Sequence, residues 1–179
     1  LLLLLAGGVT GIALGTLTFR HFSEAGIRLL LGAMAITFVV HRLRLGGTKA
    51  PAVAPSRPRG FFWSTVAGLT STISHAGGPP LNVYLLPLKL DKAVLVGTTV
   101  IFFAVINAAK VVPYFWLGLF DAGNLLTSLV LAPLAPVGIV LGVWLMRRLS
   151  QEVFYRVAYA MLVIVGAKLL WDGARGLAA

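Results

Sequence analysis

The sequence contains no cysteine and very few acidic residues. The absence of cysteine from 179 residues excludes disulfide bonds and thiolate chemistry, and it leaves the redox compartment open. Only five residues are acidic, against 15 lysines and arginines, and all five lie in loops or at the ends of apolar segments. A metal site within apolar helices would need carboxylates or paired histidines there. We therefore expect no metal centre and no cofactor.

Polar stretches are also scarce, because 59% of the residues are hydrophobic and 11% are charged. The mean hydropathy is +0.95, and several segments approach the ~20 apolar residues that cross a hydrocarbon layer of ~30 Å. The positive charges lie in short loops between these segments, which favours control of membrane topology over nucleic-acid binding. The sequence therefore predicts an all-α, polytopic membrane protein.

Short polar connectors separate the apolar segments and define the predicted organisation. Residues 1–45 contain two spans, at 1–19 and 27–40. Residues 46–60, "GGTKAPAVAPSRPRG", form a basic connector rich in proline and glycine, which we interpret as a cytoplasmic linker. Residues 61–179 follow, with further segments predicted at 61–88, 93–119, 125–146 and 154–171.

An internal repeat relates the two parts of the chain. A shift of 127 positions places residues 11–34 on residues 138–161 without a gap. The matched loop R(H/R)(F/L)S(E/Q) favours a true duplication over chance agreement between apolar sequences. Residues 61–137 precede the matched part of the second copy, whereas only residues 1–10 precede that of the first. We therefore expect a longer protein with a further N-terminal segment. The identical pairs are Gly11/Gly138, Ile12/Ile139, Leu14/Leu141, Gly15/Gly142, Arg20/Arg147, Ser23/Ser150, Ala33/Ala160 and Met34/Met161.

The segment 61–88 is interrupted by Gly-Gly-Pro-Pro at 77–80. A continuous helix over this segment would be ~42 Å long, which exceeds the bilayer unless the helix is strongly tilted. If the segment is a hairpin instead, ten lysines and arginines lie on the cytoplasmic side and three on the other, whereas a full crossing gives at best seven against six. The positive-inside rule therefore predicts a re-entrant helix. It also predicts an inverted repeat, an arrangement that recurs in secondary transporters.

The break gathers polar residues in an apolar environment. The glycines free the backbone, and the prolines suit the first turn of a new helix, whose positive end near the membrane centre favours an anion. The alternative is a packing turn, with hydroxyl groups that bond back to their own helix. The candidate substrate-binding residues are Ser74, His75, Gly77, Gly78, Pro79, Asn82, Thr98, Asn107 and Lys110.

Several of these residues have a second interpretation. Lys110 either supplies the full positive charge for an anion or extends to the membrane surface. Thr98 and Asn107 either line a pathway or bond between helices, and His75 either titrates or only accepts a hydrogen bond. We interpret Lys168 as an anchor at the membrane interface.

The segment 68–119, "GLTSTISHAGGPPLNVYLLPLKLDKAVLVGTTVIFFAVINAAKVVPYFWLGL", resembles the TauE/SafE family of sulfite-exporter-like membrane proteins. The resemblance rests on a glycine-rich break, a Gly-Thr-Thr at the next helix, and an Asn-Lys-Pro-Tyr-Gly series. It implies a multi-pass protein of the bacterial inner membrane that transports small anions such as sulfite or sulfoacetate, and that is not an enzyme. The chain departs from the family in lacking a first glycine-rich break.

Two other functions stay open at this point. An anion channel would use the same chemistry as a carrier, and a scaffold or assembly protein would need neither the lysine nor the polar break. Association into a homo-oligomer is compatible with all three. An intramembrane hydrolase is disfavoured, because the adjacent Ser74 and His75 would point ~100° apart on a helix.

Overall fold

The computed structural model describes residues 1–18, 23–118 and 122–178, and every regular element in these ranges is helical. The all-α prediction is confirmed. Three helices, Glu24–Arg44, Lys92–Trp116 and Gln151–Ala178, have the length and composition that crossing a membrane requires, and Leu2–Thr18 is a shorter apolar helix. The helices are α1 (Leu2–Thr18), α2 (Glu24–Arg44), α3 (Arg57–Ser74), α4 (Gly78–Leu85), α5 (Lys92–Trp116), α6 (Ala122–Leu131), α7 (Leu134–Arg148) and α8 (Gln151–Ala178). Two short 3₁₀ turns lie at Gly47–Lys49 and Leu86–Leu88.

The helix breaks at the predicted place, between Ser74 and Gly78. The left-handed residue is His75, with φ of 51°, rather than either glycine. The Ala76 N–H donates to the Thr70 carbonyl oxygen at 3.3 Å and so closes the end of α3. This bond resembles the closure that usually places glycine in the left-handed position. Histidine occupies that position here, with its side chain exposed.

The two arms of the broken segment meet again away from the break. The Tyr84 hydroxyl donates to the Ser56 carbonyl oxygen at 3.3 Å, and the Val53 N–H donates to the Pro87 carbonyl oxygen at 2.9 Å. The connector and the end of the second arm therefore lie together. We call this part of the molecule, residues 48–56 and 84–92, the linker end.

Helices α1 and α3 run parallel with their backbones in contact. A Cβ atom on Gly11 would lie 2.0 Å from the Thr65 carbonyl oxygen, and one on Gly68 would lie 2.1 Å from the Gly8 carbonyl oxygen. Any side chain at these positions would separate the two helices. Small residues at the contact are typical of helix pairs in membranes.

Helices α2 and α8 pack antiparallel, also through small residues. A Cβ atom on Gly32 would lie 2.7 Å from the Gly166 carbonyl oxygen, and one on Gly173 would lie 2.8 Å from the Ala25 carbonyl oxygen. The first residue of α8 bonds to the linker end. The antiparallel packing therefore places the first turn of α2 at the opposite end of the pair.

The span predicted at 125–146 is divided in the structure. Helix α6 ends and α7 begins around Pro133, because proline has no N–H to continue the helical ladder and its ring clashes with the preceding turn. None of the 15 residues of α7 is buried. A Cβ atom on Gly138 would meet nothing within 4 Å, although its repeat equivalent Gly11 is tightly packed.

Candidate functional site

Lys110 is the central charged group beside the break. Its side chain is buried, with 4% of the residue exposed. The ammonium nitrogen Nζ donates to the Ser71 carbonyl oxygen at 3.2 Å and to the Ser71 hydroxyl at 2.9 Å. The three ion pairs within the described ranges join other residues, so this buried charge has no carboxylate partner there. The ammonium lies at the last turn of α3, where the helix dipole favours a cation.

Tyr114, one turn after Lys110 on α5, makes a second contact to the same turn of α3. Its hydroxyl donates to the Thr72 carbonyl oxygen at 2.8 Å. Its ring lies edge-on to the His75 ring, with 5.9 Å between centroids, and the Lys110 ammonium is 5.8 Å from the tyrosine centroid. The sequence prediction did not include Tyr114 in the site. The signal for it was the four-residue spacing from Lys110, which places both side chains on one helix face.

Ser74, His75, Gly78 and Pro79 line a cleft of about 370 Å³ between the break, α2 and α8. The structure thus brings four of the predicted residues together. The Ser74 hydroxyl donates to the Thr70 carbonyl oxygen at 3.1 Å, so it bonds back to its own helix but keeps lone pairs for a donor. The same bond is expected if the break is only a turn that serves helix packing.

Two basic residues that the sequence did not assign to the site line the same cleft. Arg28 comes from α2 and pairs with Glu24. Lys168 comes from α8 and pairs with Asp172 at 2.6 Å. No local sequence signal identifies either residue, because only the packing of α2 against α8 brings them to the break. Lys168, interpreted as an interface anchor, is largely exposed and borders the cleft.

The start of α4 offers fewer backbone donors than expected. Prolines 79 and 80 carry no N–H, and the Leu81 N–H already bonds the Gly77 carbonyl oxygen at 3.4 Å. Gly78 lines the cleft, and a Cβ atom there would meet nothing within 4 Å. Gly77 is needed for close packing instead, because its Cβ atom would lie 2.6 Å from the Ala67 carbonyl oxygen.

The remaining predicted residues lie apart from the cleft. Asn82 lines a neighbouring cleft of about 220 Å³ against α8, which shares Gly78 and Pro79 with the first. Thr98 and Asn107 line neither cleft, and Asn107 is exposed. Lys110 lies behind the break, against α3.

The fold and the site define an all-helical protein with membrane-spanning helices, in which a broken helix is held by a buried lysine. The family model described as sulfite exporter TauE/SafE matches residues 1–169, and the chain belongs to this family. It is similar to the probable sulfite/organosulfonate exporter TauE of Cupriavidus necator, with 25% identity over 165 residues. That match covers 92% of this chain and 64% of the relative. No solved structure matches the chain at a comparable level.

Proposed function

We propose that the chain functions as a transporter of small sulfur oxyanions, sulfite or organosulfonates, in the direction of export. The observation that carries the proposal is the buried Lys110 ammonium, which has no carboxylate partner in the described ranges and lies at a break in the helix. Family membership and the name of the Cupriavidus relative support it. The partners are then the anion and the lipid bilayer.

The chemistry of the site suits an oxyanion that has lost its water. Such an anion needs several donors and a compensating charge. The Lys110 ammonium supplies the charge, and Gly78, which has no side chain to block the approach, lines the cleft. Arg28 and Lys168 add positive potential at the rim, although each is balanced by its own carboxylate. A small anion would enter from the cleft and reach the ammonium by displacing its bonds to Ser71.

The proposal includes a re-entrant segment at 61–88 and an inverted repeat. The contacts between residues 48–56 and 84–89 support a hairpin, because the first arm begins and the second arm ends at the linker end. The antiparallel packing of α2 on α8 supports inversion, since these helices are repeat equivalents. On this basis we place a multi-pass protein in the bacterial inner membrane, with the linker end in the cytoplasm.

Anion flux in proteoliposomes tests the proposal. Lys110→Met should lower the flux of sulfite or sulfoacetate by more than tenfold, because it removes the buried charge. Membrane insertion should stay equal or improve without a buried ammonium, whereas the folded state loses the two bonds to Ser71. Asn82→Ala should weaken apparent affinity by about tenfold, as expected for one lost neutral donor. Arg57→Met, at an exposed position in the connector, is the matched control and should transport normally.

The outcomes separate the candidate functions. Flux that saturates with anion concentration indicates a carrier, and flux that rises without saturation indicates a channel. Normal flux in the Lys110→Met variant would refute the assigned site. Absence of flux for every anion, in a well-folded wild-type protein, would favour a scaffold or assembly role.

A further inference from the structure

Two buried polar groups where α2 packs against α8 have no hydrogen-bond partner among the residues that the structure describes. They are the Nε atom of Arg42 and the hydroxyl of Tyr159. Each residue is only 5% exposed. Buried donors are normally satisfied, and an unsatisfied one costs about 1–3 kcal/mol. Packing alone does not explain why these two polar groups are buried without partners.

The two groups belong to one site. Phe38, one turn before Arg42 on α2, lies against the Tyr159 ring with 6.3 Å between centroids. The Arg42 guanidinium and the Tyr159 hydroxyl face each other closely enough for a loose side-chain contact and an electrostatic interaction, but neither Nε of Arg42 nor the hydroxyl has a partner in good hydrogen-bond geometry. The Nη2 atom of Arg42 donates to the Pro51 carbonyl oxygen at 2.8 Å. The ion pairs within the described ranges do not include Arg42.

This arrangement fits one class of ligand. A buried guanidinium without a counter-ion is costly, and its Nε–H with an adjacent hydroxyl presents two donors to an anion with several oxygens. We propose that Arg42 and Tyr159 bind an oxyanion of the sulfonate, sulfite or phosphate class. Tyr155, one turn earlier on α8, borders an open cleft of about 400 Å³ whose charged lining residues are Lys49, Lys89 and Glu152. Because Glu152 pairs with Arg156, the two lysines give an anion a net basic approach.

This site is separate from the break. Arg28 lines the cleft at the break, and Arg42 follows fourteen positions later on the same helix, which is ~21 Å along its axis. The inference therefore does not depend on the proposed function. The oxyanion has two possible sources, a small solute or the phosphate of an anionic lipid, and both have the chemistry that the two donors recognise.

Thermal unfolding of the purified chain in a neutral detergent tests the proposal. Sodium methanesulfonate is compared with sodium chloride at equal ionic strength, and phosphatidylglycerol with phosphatidylcholine in mixed micelles. Tyr159→Phe removes one donor and leaves the Pro51 bond intact. In chloride this variant should melt at the same or a higher temperature than wild type, since it loses an unsatisfied group. Its apparent affinity for the stabilising anion should be about tenfold weaker.

Tyr155→Phe is the matched control. Its hydroxyl already donates to the Leu90 carbonyl oxygen at 2.8 Å, so this variant should be less stable in chloride but keep the full anion effect. An effect of methanesulfonate that Tyr159→Phe weakens assigns the site to a small oxyanion. An effect of phosphatidylglycerol alone, again weakened by Tyr159→Phe, assigns it to a lipid phosphate. If Tyr159→Phe responds to both additions as wild type does, or if wild type responds to neither, the inference is overturned.

Discussion

Lys110 of α5 donates to Ser71 of α3 twice, to the carbonyl oxygen at 3.2 Å and to the hydroxyl at 2.9 Å. This ammonium therefore hydrogen-bonds to the last turn of α3, and it also places a positive charge beside the break. An ammonium has three N–H donors, so these two bonds leave one for another acceptor. Substitutions at its neighbours separate the structural contribution from the binding contribution.

Ser71→Ala should remove one of the two bonds and keep the charge. We expect a loss of about 1 kcal/mol in the free energy of unfolding, measured by thermal denaturation in detergent. Sulfite flux at saturation should stay near that of wild type. Ser74→Ala is the control, because that hydroxyl bonds only the Thr70 carbonyl within its own helix, and it should change stability by less than half as much. Equal stability of wild type and Ser71→Ala would show that the hydroxyl bond contributes nothing.

Tyr114→Phe should affect both stability and anion affinity. The change removes a 2.8 Å bond to the Thr72 carbonyl oxygen, next to the ammonium. We expect a loss of about 1 kcal/mol in stability and a several-fold rise in KM for anion flux. Tyr84→Phe removes a comparable bond to Ser56 at the linker end and should leave KM unchanged. A KM that rises equally in both variants would mean that the effect is general rather than local.

Gly11 and Gly138 are repeat equivalents with opposite surroundings. In the 179-residue chain, Gly11→Val should lower the folded yield severely, because a Cβ atom would meet the Thr65 carbonyl oxygen at 2.0 Å. Gly138→Val should be tolerated, since nothing lies within 4 Å. Monodisperse yield after detergent extraction measures both. Tolerance of Gly11→Val would contradict the close contact of α1 with α3.

The absence of cysteine allows single labels to report topology without background. Thr48→Cys and Asp91→Cys should react with an impermeant thiol reagent from the same, cytoplasmic face, as expected for residues at the linker end. Arg175→Cys, near the end of α8 where Gly173 approaches Ala25, should react from the other face. Labels at positions 48 and 91 on opposite faces would show that residues 61–88 cross the membrane fully.

The position of the break could be predicted because it violates the pattern of its surroundings, and Lys110 stands out in the sequence for the same reason, while its role stays a prediction. Four helix-breaking residues interrupt an apolar run, and a lysine lies within another. Either departure is costly in a membrane, so local sequence is enough to identify it.

Features that depend on packing could not be predicted. Arg28 and Lys168 are far apart in sequence and meet only because α2 lies against α8. The left-handed conformation falls on His75 and not on Gly77 or Gly78, which follow after Ala76 and which propensity favours for that conformation. The division near Pro133 differs from prediction because prolines in membrane helices produce kinks or ends, and the sequence does not distinguish these outcomes.

The glycine contact between α1 and α3 has a consequence for movement. Helices that touch through side chains can slide by changing rotamers, as in shear motions. Here backbone meets backbone at Gly11 and Gly68, and there is no layer of side chains to rearrange. We therefore expect the two helices to move together. A conformational change would then bend the chain at residues 75–77, where α3 gives way to α4, or shift α5 or the α2–α8 pair against this unit.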